Sequence, residues 1–119
     1  MAADEHEVEP ARVAELMSSG DAQVVDVRND DEYDAGHLGG ARHVRFDELT
    51  AGAGELDQSR PVVFYCQAGG RSAAAAQAFA ASGWEAYTMA GGLAEWAERG
   101  LPLEPEDGRV KPPSGLPDS

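Results

Sequence analysis

One cysteine, Cys66, is the only thiol in this sequence of 119 residues. A lone cysteine excludes any disulfide within the chain, and the expected compartment is a reducing cytoplasm. Lysine is as scarce, with Lys111 the single example, and nine basic residues face twenty-two acidic ones for a net charge of -13. A field of that sign opposes nucleic acid and anionic membrane surfaces, so neither is expected as a partner. No apolar run approaches the ~20 residues of a membrane helix, and Met1-Ala2-Ala3-Asp4-Glu5 lacks the basic and apolar stretches of a signal peptide. His6, His37, His43 and Cys66 show none of the close ligand pairs of a zinc site, so no metal is expected. The length allows one domain with a modest core.

What is present centres on Val62-Val63-Phe64-Tyr65-Cys66-Gln67-Ala68-Gly69-Gly70-Arg71-Ser72. The apolar run reads as a buried strand ending at the cysteine, and the glycines form a turn into an alanine-rich helix. In that arrangement the loop amides and the positive end of the helix dipole point into the space above the sulfur. An anion is favoured there, and with Arg71 nearby the thiolate, which is the strong nucleophile, is expected to be stabilised over the thiol.

The same residues resemble a known family. Cys66-Gln67-Ala68-Gly69-Gly70-Arg71-Ser72 fits the C-x-x-G-x-R-S active loop of single-domain rhodaneses. Val25-Asp26-Val27-Arg28 is similar to the family's D-V-R segment, Glu32-Tyr33-Asp34-Ala35-Gly36-His37-Leu38 to E-[YF]-x-x-G-H-I, and Met89-Ala90-Gly91-Gly92-Leu93-Ala94-Glu95-Trp96 to G-G-x-x-x-W. All four come in family order, which is far more specific than any one alone. The resemblance implies a sulfurtransferase carrying sulfane sulfur on a Cys66 persulfide, held by Gln67, Ala68, Gly69, Gly70, Arg71 and Ser72, with no cofactor. It implies small-molecule sulfur donors, thiosulfate or a persulfide, and a thiol, cyanide or protein acceptor. Gly40-Ala41-Arg42-His43-Val44-Arg45 departs from the family, which commonly places an apolar residue, Asn, an apolar residue and Pro after Gly-Ala.

The implied fold is α/β: one rhodanese-like domain over 5–103, with a central, mainly parallel five-stranded sheet flanked by helices on both faces. Residues 104–119 read as a flexible, acidic, proline-rich tail. Along the chain, His6-Glu7-Val8 is expected as the first strand, Pro10 as the start of a helix stopped by Gly20, and Ala22 to Val27 as the second strand. Asp26 and Arg28 close that strand and are expected to brace the site by pairing. Asn29-Asp30-Asp31 is expected as a turn and cap before a one-turn helix at Glu32-Tyr33, Phe46 to Ala51 as a short helix, and Trp84 to Thr88 as the last strand. His37 reads as a hydrogen-bonded structural residue rather than a base for Cys66. Arg42, His43 and Arg45 read as a solvated edge strand, the alternative being added positive charge beside the site.

Competing functions divide on spacing. A phosphate-binding nucleotide loop fails because Arg71 replaces the lysine and Tyr65 the leading glycine. A cysteine phosphatase would use the same thiolate, amides and arginine in a C-x5-R loop, whereas Cys66 and Arg71 are separated by four residues. The shorter loop suits one sulfur atom better than a phosphate. A sulfur carrier without turnover, or a module that only binds protein, remains open. The loop lacks the two bases of the thiosulfate-selective C-R-K-G-V-T pattern, so thiosulfate is expected to be a poor donor.

Overall fold

The computed structural model describes residues 7–49, 56–68 and 70–104. His6 of the expected first strand, Thr50 and Ala51 of the short helix, Gly69 of the cysteine loop and residues 105–119 of the expected tail lie outside the described residues. Glu104, the first residue of that expected tail, instead pairs with His37 in an antiparallel bridge, its amide donating to His37 O at 2.7 Å.

The strands are β1 (Glu7–Val8), β2 (Gln23–Asp26), β3 (Arg42–His43), β4 (Val62–Tyr65) and β5 (Ala86–Met89). They form one five-stranded sheet in the order β1-β5-β4-β2-β3. All four pairings are parallel, which requires crossover connections and leaves the sheet covered on both faces. β4 lies at the centre, so all four of its residues are buried.

Period-two alternation divides the core. Val25, Val27, Val62, Phe64, Cys66 and Ala86 pack on one face with Ala75 and Ala76 of α3 (Gly70–Ala81). Val24, Val63, Tyr65 and Met89 pack on the other with Val13 of α1 (Pro10–Ser19) and Leu93 and Trp96 of α4 (Gly92–Glu98). The face of α3 turned to the sheet is Ser72, Ala75 and Ala76, and such small side chains let the helix lie close. α1 begins at Pro10, as expected, and ends at Gly20 in the left-handed region (φ 77°), whose amide reaches the Leu16 and Met17 carbonyls. Trp96 is buried in its core, whereas Trp84 is half-buried against the other.

Some boundaries differ from expectation for identifiable reasons. The last strand begins at Ala86 rather than Trp84 because the Trp84 amide donates to Phe79 O at 3.0 Å and closes the end of α3. β2 begins at Gln23, with Ala22 in a bend. Val27 is not assigned to β2, yet its amide still donates to Tyr65 O at 3.0 Å, continuing the ladder. The one-turn helix is longer, α2 (Asp30–Ala35), with Asn29 at its N-cap. Of the helix expected from Phe46, the described part is a 3-10 turn, Phe46–Glu48, followed by the helical Leu49.

Candidate functional site

Cys66 follows β4 at the carboxyl end of the sheet, the edge where open α/β sheets place their functional loops. Its side chain points to the α3 face and is 2% exposed. Sγ lies 3.5 Å from the Ser72 hydroxyl, and Ser72 Oγ lies 2.6 Å from Thr88 Oγ1. Both hydroxyls are buried. A chain of two hydroxyls thus joins the sulfur to β5, and each can donate to the next group.

Beyond Cys66 the loop backbone is fixed from α4. Leu93 N donates to Cys66 O at 2.8 Å and Ala94 N to Gln67 O at 3.1 Å. In a trans peptide the N–H is opposed to the C=O, so the amides of Gln67 and Ala68 are turned away from α4. Gly92 makes this approach possible. It has φ +64°, and a Cβ there would stand 2.6 Å from both the Cys66 and Gln67 carbonyl oxygens. The first turn of α3 starts at Gly70, four residues after Cys66.

Arg71, half-buried on that first turn, is held by Glu32. Its Nη1 and Nη2 donate to the two carboxylate oxygens at 3.1 and 3.2 Å. Glu32 is fully buried and also accepts the Asn29 amide at 2.8 Å, which caps α2. Burial pulls the Arg71 guanidinium down, but the hydrogen bond and charge of Glu32, with a further contribution from Cys66, outweigh it and leave Arg71 raised.

A second arginine pair lies on the opposite face. Arg28 and Asp26 are both fully buried, with contacts from Arg28 Nε at 3.0 Å to Asp26 Oδ1 and from Nη2 at 2.7 Å to Oδ2. Nη2 also donates to Gly36 O at 2.7 Å, and the guanidinium carbon stands 5.7 Å from the centre of the Tyr65 ring. Burial lowers the Arg28 pKa, yet Asp26 more than compensates and the group is raised. Tyr65 O–H accepts the Leu38 amide at 3.0 Å, and burial, with Asp26, pushes the phenol well above its ordinary range.

Among the predicted site residues, Cys66, Gln67, Ala68, Gly70, Arg71 and Ser72 follow one another along the turn into α3, with Gly69 outside the described residues. Asp26 and Arg28 pair with each other and brace the neighbouring strand end. His37 stacks on Tyr33 at 3.8 Å and donates from Nδ1 to Tyr33 O at 2.8 Å. His43 stacks on the other side of the same ring at 4.3 Å and donates from Nε2 to Arg28 O. β3 is the sheet edge, and Arg45 is met there by Glu48 at 2.9 Å, with Asp47 and Asp30 within 4 Å. Arg45 therefore does not present its charge uncompensated at the site. Among the described residues no three His, Cys, Asp or Glu side chains are grouped to hold a metal ion, and no helix is long and apolar enough to cross a membrane.

Sequence reasoning missed Glu32 and Thr88 as parts of the site. Glu32 lies in a segment already singled out, and its offset of three from Asn29 is a capping-box signal; nothing local pointed to Arg71.

Comparison with known proteins places these features in context. A family model described as "Rhodanese-like domain" matches residues 9–99. The chain is 38% identical over 76 residues to YqhL of Bacillus subtilis, covering 63% of this chain and 60% of that protein. It is 32% identical over 83 residues to the thiosulfate sulfurtransferase GlpE of Coxiella burnetii, covering 69% of this chain and 78% of that protein. The crystal structure of a rhodanese-related protein from Thermoplasma volcanium superposes with a TM-score of 0.76 at 26% identity, covering 82% of this chain and 96% of that one.

Proposed function

The chain belongs to the rhodanese-like domain family, and from that premise we propose that it transfers sulfane sulfur through a persulfide on Cys66. The observation that carries the reading is the position of the only cysteine: at the end of the central strand, with the Ser72 hydroxyl 3.5 Å from Sγ and the backbone locked by α4. Gln67, Ala68, Gly69, Gly70, Arg71 and Ser72 form the cradle for the persulfide, and Asp26 and Arg28 support it from the other face. Sulfur donors and thiol, cyanide or protein acceptors are the partners, and the compartment is a reducing cytoplasm.

The chemistry balances without a cofactor. The Cys66 thiolate attacks the outer sulfur of R–S–SH, a new S–S bond forms, the donor's S–S bond breaks, and RS⁻ departs. With thiosulfate the departing group is sulfite. Ser72 donates to the sulfur that carries the charge, and Thr88 donates to Ser72 in turn. Cyanide then attacks the outer sulfur of the persulfide, leaving as thiocyanate and restoring the thiolate. No second cysteine is available to release the sulfur by closing a disulfide, so the acceptor must enter from outside. The Cys66 side chain is nearly sealed, so the acceptor in this cycle attacks the outer sulfur of the persulfide and never the inner one.

A phosphatase reading loses support from the site as well as from the loop count. Its arginine would have to bring an uncompensated positive charge to the phosphate, but the charge of Arg71 is already met by Glu32. The deciding experiment is intact mass after exposure to thiosulfate and, separately, to a persulfide donor. The wild-type protein is expected to gain one sulfur atom, released by added cyanide as thiocyanate. Sulfur loading in a well-folded Cys66→Ser protein would refute the assignment.

A further inference from the structure

We propose that Glu32 sets the charge class of the donor: by neutralising Arg71 it makes the cradle a site for sulfane sulfur carried on a low-charge persulfide rather than on a dianion. This rests on the sulfur-transfer reading above. Both amino groups of Arg71 lie on the two oxygens of one carboxylate, at 3.1 and 3.2 Å, a fork-to-fork contact that fixes the guanidinium plane. Glu32 cannot swing out to solvent, because it is fully buried and its Oε1 also holds the Asn29 amide that caps α2. Arg71 is the more open partner, its side chain 29% exposed against 0% for Glu32. It therefore offers N–H groups to the site while its charge is cancelled from behind.

The surroundings do not restore that charge. Gln67 and Ala68 carry none, Arg28 is cancelled by Asp26, and Arg45 is ringed by Asp30, Asp47 and Glu48. The whole chain adds a field of the wrong sign for an anion. A donor entering this cradle finds hydrogen-bond donors and no net positive charge. Thiosulfate brings two negative charges, both retained on the departing sulfite, and must lose hydration without a counter-charge. A persulfide R–S–SH brings at most one charge on the reacting group and leaves as a thiolate. Glu32 is thus a positioning residue, acting on the donor through Arg71.

The test separates charge from structure and does not depend on sulfur transfer. Second-order rates of Cys66 alkylation by neutral iodoacetamide and anionic iodoacetate are measured in wild type, Glu32→Gln and Glu32→Asp. Releasing one unit of charge on Arg71, which already feels the charge of Cys66 and is partly screened by solvent, is expected to raise the iodoacetate-to-iodoacetamide ratio about five- to tenfold in Glu32→Gln. Glu32→Asp keeps the charge and should remain within about twofold of wild type by the same Coulomb reasoning. In parallel, kcat/KM for thiosulfate relative to cysteine persulfide should rise in Glu32→Gln by a similar factor. An unchanged ratio in folded Glu32→Gln, or an equal rise in Glu32→Asp, overturns the proposal. Should Glu32→Gln fail to fold by circular dichroism, the wild type decides: millimolar sulfate should leave the iodoacetamide rate unaltered, and saturable protection would overturn the proposal. A protein that shows the charge ratios but never loads sulfur would refute the sulfurtransferase reading alone.

Discussion

Two arginine–carboxylate pairs whose carboxylate is fully buried differ in what they face. Arg28 and Asp26 are both fully buried, on the α1 and α4 side of the sheet with Tyr65, and they serve the fold. Arg71 and Glu32 share the contact type, but the arginine opens toward solvent at the start of α3, on the side where Cys66 packs. A sealed pair contributes through what its rupture would leave behind, an uncompensated charge in the interior. An open pair contributes through what it presents outward. The same chemistry therefore braces one side of the strand ends and tunes the other.

The largest effect is expected where the sealed pair is broken. Arg28→Ala strands Asp26 and should cost about 3–5 kcal/mol in urea unfolding, while the double change Asp26→Leu with Arg28→Met should recover most of it. Breaking the open pair should move function more than stability. Arg71→Ala should slow sulfur loading about tenfold, a change of ~1.4 kcal/mol in barrier, with a smaller loss in urea than Arg28→Ala because removing the part-exposed Arg71 admits water to Glu32. Arg71→Lys should restore part of the rate, and equal stability losses in Arg28→Ala and Arg71→Ala would erase the distinction. A weaker probe of the sealed side is Tyr65→Phe, which leaves the Leu38 amide without its acceptor and should cost about 1 kcal/mol. It also has a pH signature. The folded phenol is raised while the unfolded one ionises near about pH 10, so stability is full below that pH and falls as pH rises beyond it; Tyr65→Phe should flatten this alkaline loss in urea titrations. The smallest effect belongs to Thr88→Val, which keeps the shape but removes the outer hydroxyl of the chain to Cys66. Sulfur loading should fall by a factor of about two to three, as for one indirect hydrogen bond.

Legibility in the sequence followed the range of the interactions. β4 was readable because Val62 to Tyr65 is an uninterrupted apolar run, which a strand buried on both faces requires. The cysteine loop and the start of α3 were readable because their signals are local: a thiol, glycines and a run of alanines. Asp26 and Arg28 are two residues apart, and their pairing was anticipated. The pair that separates the two sides was not, since Glu32 and Arg71 lie 39 positions apart and meet only once β2 and β4 are adjacent. Glu32 carried a capping signal and a place in the segment from Glu32 to Leu38, but nothing that pointed to Arg71, and Thr88 carried only a strand propensity. The start of β5 shifted because Trp84, a good strand former, was captured by the end of α3.

The docking of Gly92 on the cysteine loop bears on the tempo of the cycle. Two successive carbonyls are held by helix amides at a spacing only glycine allows, so the intervening peptide planes cannot rotate without breaking both contacts. In the proposed cycle, loading and discharge then take place on one backbone at Cys66 and Gln67. Neither half-reaction waits for the loop to reset, and the reorganisation that a mobile cradle would repeat in every turnover is completed once, when the chain folds.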